Sequence, residues 1–167
     1  MINKFNSIFV TVFGVGKIKF APGTAASLLT TLILFYAFHI VNFSKWLILL
    51  SLLLIFFYSL YAINSYIDKK DNKDPKEVVI DEVIGQSIPL YVYEISHNTI
   101  KESGEAFLFY TYIFILFRFF DIKKPFPVNY FDEKYKNAFG VVFDDILAGM
   151  YVILTLIIFM ILKSYLF

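Results

Sequence analysis

Long apolar runs separated by short polar segments dominate the chain. The two most uniform runs, residues 25–43 and 46–63, each come close to the roughly 20 residues that a helix needs to cross about 30 Å of hydrocarbon. Because very few residues separate these runs, the pattern predicts a helical hairpin in a membrane.

Three later runs are apolar but carry charged residues near an end. Residues 78–96 begin near a pair of carboxylates, residues 105–120 include an arginine, and residues 141–162 begin near a second pair of carboxylates. The first of them contains Pro89, so it fits either a full span or a re-entrant segment. The pattern predicts an all-α polytopic membrane protein, a single domain over residues 1–167 with four to five transmembrane or membrane-embedded helices.

The composition agrees with a membrane location. Hydrophobic residues make up 59% of the chain and its mean hydropathy is +0.68, which is more apolar surface than one small soluble domain can bury. No A-x-A-like cleavage site follows a short apolar run, so we expect the N-terminus to be retained. The lack of cysteine excludes thiolate metal sites and cysteine nucleophiles, and a net charge of +1 without a basic stripe argues against a nucleic-acid partner.

The distribution of positive charge favours five spans. With five spans and a cytoplasmic N-terminus, twelve of the fifteen lysine and arginine residues fall on the cytoplasmic side. A re-entrant segment at 78–96 would invert the orientation of every later segment across the membrane. It would thereby remove the excess of positive charge on the cytoplasmic side. In the five-span topology the polar clusters at four span ends share one face, so we expect the active site at the cytoplasmic interface.

Five carboxylates lie at three of these span ends, where charged groups are costly. Each ionisable residue at bilayer depth costs about 2.5 to 3.5 kcal/mol on insertion scales, so such a group of acids indicates a bound cation. Oxygen ligands without histidine or cysteine suit a hard ion, Mg2+ first, which prefers a few carboxylates together with water and substrate phosphate. Neighbouring acids on a helix point about 100° apart, so one of each pair is expected to bind the metal while the other orients it or bonds elsewhere. The candidate metal ligands and catalytic acids are Asp81, Glu82, Asp121, Asp144 and Asp145.

Basic side chains and a helix start complement these acids. Arg118 and Asp121 are three residues apart and so share a helix face, and Lys123 and Lys124 follow directly. Arginine offers a two-pronged donor for phosphate, and lysine offers a point charge. In the segment APGT, Thr24 is a candidate N-cap, and the small residues after it would let an anion approach free backbone N–H groups. Together these features indicate a substrate with a phosphorylated lipid headgroup.

Each of these features also has an ordinary structural interpretation. Lysines and arginines beside spans commonly fix topology, and a lone aspartate at a helix start commonly compensates the helix dipole. Ala148 and Gly149 are as well suited to close helix packing as to a site. The alternative function is a small membrane transporter or ion-binding protein that uses the same carboxylates as a cation path, and a third is a structural membrane subunit. Acids at one interface, rather than at the bilayer midplane, favour an enzyme over a transporter.

Four segments of the chain resemble the phosphatidylglycerophosphatase A family. They are APGTAAS at residues 21–27, DPKEVVIDEVIGQ at 74–86, FRFFDIKKPFPV at 117–128 and GVVFDDILAGM at 140–150. Because the segments occur in order along the whole chain at suitable spacing, the resemblance is specific. One departure is that the family's glycine-rich approach to the second acid pair is reduced here to Gly140.

The resemblance implies a function, a location and roles for residues. The family is membrane-bound and Mg2+-dependent, and it hydrolyses the terminal phosphomonoester of phosphatidylglycerophosphate to give phosphatidylglycerol. The implied location is the bacterial inner membrane, with several spans and an active site that faces the cytoplasm. By position, the resemblance implies that the acidic site is formed by Asp81, Glu82, Asp121, Asp144 and Asp145. It also implies a role in phosphate binding, or in supporting it, for Lys17, Thr24, Arg118 and Lys124.

Metal-assisted hydrolysis of a phosphomonoester is the mechanism that this inventory favours. A metal held by the acids would polarise the phosphoryl group and position a water, while Arg118 and a lysine would offset the developing charge. A covalent aspartyl-phosphate is the other route. Since no D-x-D-x-[TV] signature supports it, we expect direct attack by water.

Overall fold

The helices follow the apolar runs of the sequence. The computed structural model describes residues 4–67, 76–96, 103–135 and 137–166, and this part of the chain contains no β-strand. Its α-helices are α1 (Lys4–Val10), α2 (Pro22–Phe35), α3 (Lys45–Ile67), α4 (Ile80–Ser96), α5 (Ser103–Lys123), α6 (Val128–Lys134) and α7 (Ala138–Leu166). A π-helical turn, Tyr36–Ile40, extends α2. The all-α prediction is confirmed.

Helix α4 lies at the centre of the bundle. It packs against α2, α3, α5 and α7, and most of its residues are buried. One apolar cluster around Ile63, Ile84 and Val142 joins it to α3 and α7. A second cluster around Leu90 and Ile113 joins it to α2, α5 and α7. The apolar core therefore surrounds α4 and fixes the position of its first turn.

The five long helices alternate in direction. The starts of α2, α4 and α7 and the end of α5 meet at one end of the bundle, where they line a common cavity. At the other end, Lys45 at the start of α3 donates from Nζ to the carbonyl oxygen of Glu94 near the end of α4, at 2.5 Å. The Glu94 carboxylate accepts a hydrogen bond from Tyr110 of α5 and lies 2.9 Å from Nε2 of His39. This second polar cluster connects four helices at the end opposite the cavity.

Three helices combine the length and apolar composition of a membrane span. They are Pro22–Ile40, Lys45–Ile67 and Ala138–Tyr165. The sequence predicted five spans, so the number found in the described residues is lower than predicted. Helix α4 has only 17 residues with acids near both ends, and α5 carries charges in its first and last turns. Since other helices cover α4 on most sides, its own sequence does not need the apolar character that lipid contact demands.

Candidate active site

A cavity of about 330 Å³ opens at the end of the bundle where the four helix ends meet. Its polar lining residues are Thr24, Lys76, Asp81, Glu82, Arg118, Asp121, Lys124, Tyr135, Asp144 and Asp145. All five acids predicted from the sequence therefore line one cavity, together with three basic side chains. Their roles in catalysis stay predictions.

Asp81, Glu82 and Asp145 converge most closely. One carboxylate oxygen from each lies within 4.8 Å of the other two. Asp81 and Asp145 are buried, and among the described residues neither Asp81 Oδ1 nor Glu82 Oε2 has a hydrogen-bond partner. Buried carboxylate oxygens without partners are costly, and a set of oxygen ligands at this spacing suits a hard divalent cation. These three residues, named here the acidic triad, fit the ion that the sequence predicts.

The other two acids are paired with bases. Arg118 Nη1 lies 2.5 Å from Asp121 Oδ2, which confirms that the two residues share a helix face. Lys124 Nζ donates to Asp144 Oδ2 at 2.8 Å, and the backbone N–H of Asp145 donates to Asp144 Oδ1 at 3.0 Å. The two residues of the second acid pair therefore have different partners: Asp145 belongs to the acidic triad, and Asp144 forms an ion pair with Lys124. The sequence alone left this division open.

The end of α5 determines which of two adjacent lysines reaches the cavity. Lys124 follows the last helical residue and has a left-handed backbone (φ 44°), an uncommon conformation for a residue other than glycine. Its side chain lines the cavity, whereas Lys123 is exposed and does not line it. Lys17 is also exposed outside the cavity. The structure therefore brings Lys124 to the acids and leaves Lys123 and Lys17 away from them.

The start of α2 forms one wall of the cavity. The helix begins at Pro22 with Ala21 as its N-cap, so the prediction that Thr24 is the N-cap is wrong. Proline suits the first helical position because a backbone N–H there would have no partner within the helix, so its absence costs nothing. Thr24 lies instead in the first turn, where the N–H groups of Gly23 and Thr24 precede the first helical hydrogen bond, from Ala25 to Ala21, and so remain available to an anion. A Cβ atom on Gly23 would collide with Glu82 Oε1, so glycine permits this close approach.

Some residues at the site were not found by reasoning from the sequence. Lys76 and Tyr135 line the cavity, and Gln86 is buried one turn beyond Glu82. Lys76 belongs to the charged segment 68–77, whose composition is typical of a solvated loop. The signal that would have found it is its position five residues before the first acid of the triad, Asp81.

Comparison with known proteins identifies relatives that match most of the chain. The phosphatidylglycerophosphatase A family matches residues 8–160. A phosphatidylglycerophosphatase A of Haemophilus influenzae is 37% identical, over 85% of this chain and 80% of its own. A Bacteroides thetaiotaomicron protein named as a candidate phosphatidylinositol-3-phosphatase is 34% identical over 84% of each chain. The Escherichia coli phosphatidylglycerophosphatase A is 29% identical over 83% of this chain and 73% of its own. No solved structure matches the chain.

Proposed function

The chain belongs to the phosphatidylglycerophosphatase A family, and we propose that it hydrolyses the phosphomonoester of phosphatidylglycerophosphate in an Mg2+-dependent reaction. The products would be phosphatidylglycerol and inorganic phosphate. The observation that carries the proposal is the acidic triad, which lies beside Arg118 and Lys124 in a cavity at the end of an apolar bundle. Metal ligands and phosphate-binding cations thus occur together where a lipid headgroup would lie.

The acidic triad, Asp81, Glu82 and Asp145, would hold the metal. When bound, the ion supplies Lewis-acid stabilisation of the charge on the phosphoryl oxygens. Arg118 and Lys124 would face the same oxygens, and each is held in place by its carboxylate partner. Arg118 Nη1 also donates to the hydroxyl of Ser27 on α2 at 3.3 Å. The guanidinium is thereby fixed between two helices before the substrate binds.

The chemical step would be a displacement at phosphorus by water. The water oxygen forms a bond to phosphorus while the bond from phosphorus to the glycerol oxygen breaks. A carboxylate of the cavity takes a proton from the water and gives it to the glycerol oxygen as that oxygen leaves. Arg118 and Lys124 offset the negative charge that builds up on the phosphoryl oxygens. This route needs no covalent phosphoenzyme.

The orientation in the membrane is part of the proposal. Three helices have the composition of membrane spans, and the cavity end of the bundle carries Lys76, Arg118 and Lys124. Positive charge accumulates on the cytoplasmic side of membrane proteins. We therefore propose that the cavity opens to the cytoplasmic leaflet of a bacterial inner membrane.

A substrate panel tests the proposed function. Purified protein in detergent micelles with Mg2+ should release phosphate from phosphatidylglycerophosphate faster than from phosphatidylinositol 3-phosphate or from glycerol 3-phosphate. Faster release from phosphatidylinositol 3-phosphate would assign the substrate class suggested by the Bacteroides relative's name. If folded protein releases no phosphate from any of the three but carries cations into liposomes, the carboxylates serve transport instead.

Lys76 is expected to recognise the second phosphate of the substrate. It lines the cavity and is exposed, whereas Arg118 and Lys124 are paired with acids deeper inside. Phosphatidylglycerophosphate carries a phosphodiester one glycerol away from the reacting group, so a cation at the mouth would bind it. Replacing Lys76 with alanine should raise KM for this lipid by about three- to tenfold and leave kcat nearly unchanged, since an exposed ion pair contributes on the order of 1 kcal/mol.

The control for Lys76 is Lys19, which is also exposed but lies outside the cavity. Lys19→Ala should leave KM unchanged. With glycerol 3-phosphate, which has no phosphodiester, Lys76→Ala should match the wild type. An equal loss on both substrates would show that Lys76 does not read the second phosphate.

A further inference from the structure

Gln86 is a buried amide without a hydrogen-bond partner, close to the acidic triad in the sequence of α4. Its side chain is fully buried, with 0% of its surface exposed. Neither Nε2 nor Oε1 has a partner among the residues that the structure describes. A glutamine amide has two N–H donors and a carbonyl acceptor, and burial without partners costs free energy. Such a group calls for a ligand or an ordered water.

The position of Gln86 on α4 links it to the metal ligands. Residues four apart on a helix lie on the same face, so Gln86 follows Glu82 one turn deeper in the bundle. Glu82 Oε2 is also buried without a partner, as is Asp81 Oδ1 in the same first turn. The amide therefore has hydrogen-bond donors without partners about one helical turn away from carboxylate oxygens that also have no partner. A single internal water between them can accept a hydrogen bond from the amide and donate one to a carboxylate oxygen.

We propose that Gln86 is a positioning residue for the acidic triad: through a buried water, its Nε2 donates to the Glu82 carboxylate and fixes the orientation in which that carboxylate holds the metal. The inference rests on the metal site of the proposed function. Ligand carboxylates in metal sites are generally held by such outer hydrogen bonds, and loss of one typically costs about ten- to a hundredfold in metal affinity. Because the amide is not exposed in the cavity, it would act on the ligand rather than on the substrate.

Metal binding by Gln86→Met tests the proposal. Methionine has nearly the same length and shape as glutamine but cannot donate a hydrogen bond. We expect the dissociation constant for Mg2+, measured by calorimetric titration of the purified protein in detergent, to rise about ten- to a hundredfold. We also expect the Tm without metal to stay close to the wild-type value, because methionine keeps the packing of the buried side chain and removes only one hydrogen bond to water. A purely structural role would instead lower the Tm without metal.

The matched control is Ser87→Ala. Ser87 is the next residue of α4 and equally buried, but its hydroxyl is satisfied within the helix by the carbonyl oxygen of Val83 at 2.6 Å. The Mg2+ affinity of the Ser87→Ala variant should equal that of the wild type. Wild-type affinity in Gln86→Met would overturn the inference and leave the proposed metal site intact.

Two other outcomes would also overturn the inference. Absence of saturable Mg2+ binding in the wild type would remove both the metal site and the role of Gln86. If Gln86→Met fails to fold, Gln86→Leu provides the second test, and failure of both variants to fold would assign the amide to structure alone.

Discussion

Replacing Asp145 with asparagine is expected to reduce kcat/KM for phosphatidylglycerophosphate by about a thousandfold or more. The substitution keeps the size of the side chain but removes one of the three charges of the acidic triad. A metal ion supplies several kcal/mol of transition-state stabilisation, and losing about 4 kcal/mol of it corresponds to a factor of roughly a thousand. Phosphate release by purified protein in micelles measures the effect. Membrane insertion should be unchanged, since α7 keeps its apolar residues.

Asp144 provides the internal control for Asp145. It is equally buried and adjacent in the chain, but its carboxylate accepts a hydrogen bond from Lys124 instead of joining the acidic triad. Asp144→Asn should therefore cost less, about ten- to a hundredfold, as expected for a group that positions another. If Asp144→Asn is inactive and Asp145→Asn retains most of its activity, the assignment of the two acids is reversed.

Replacing Gly85 with alanine is expected to cost about a hundredfold in activity and to lower the Tm. A Cβ atom there would lie 2.6 Å from the backbone oxygen of Asp145 and 2.8 Å from its Cβ. Gly149 approaches from the other helix, because a Cβ on it would lie 2.6 Å from the Gly85 oxygen. Neither contact can be relieved by rotating a side chain, so α4 and α7 must separate. Overpacking of this kind costs about 1 to 3 kcal/mol of stability, and a displacement of about 1 Å in a site can cost a hundredfold in rate.

Gly104→Ala is the matched control for Gly85→Ala. Gly104 lies in the first turn of α5, and an added Cβ would meet nothing within 4 Å. Alanine favours a helix by up to about 1 kcal/mol over glycine, so this variant should be as stable as the wild type or slightly more stable. Activity and thermal unfolding of both variants should be measured together. Wild-type behaviour of Gly85→Ala would mean that the contact between α4 and α7 does not position Asp145.

The sequence predicted much of the architecture because apolar length and charge distribution are local signals. The helices α2, α3 and α7 correspond to runs that were visible directly. The meeting of four helix ends followed from the alternation of spans, which needs no knowledge of side-chain packing. The number of spans was overestimated at α4 and α5. The hydropathy of a central helix such as α4 depends on which neighbours cover it, and α5 carries charges in its first and last turns.

The details of the site depended on three-dimensional packing and so escaped prediction. Adjacent acids such as Asp144 and Asp145 have the same local sequence signal, and only the position of Lys124 distinguishes them. The left-handed backbone at Lys124 that accompanies this arrangement has no marker in a non-glycine residue. Likewise, nothing local shows that Gln86 lacks a partner, because that depends on every helix packed around it.

The most direct test of the central claim is phosphate release from phosphatidylglycerophosphate by purified wild-type protein in three conditions: with Mg2+, with EDTA, and with Mg2+ restored after EDTA. We expect release with Mg2+, none with EDTA, and recovery when Mg2+ is restored, because the acidic triad would hold the ion reversibly. Equal release in EDTA, or no release by folded protein in any condition, would contradict a metal-dependent lipid phosphatase.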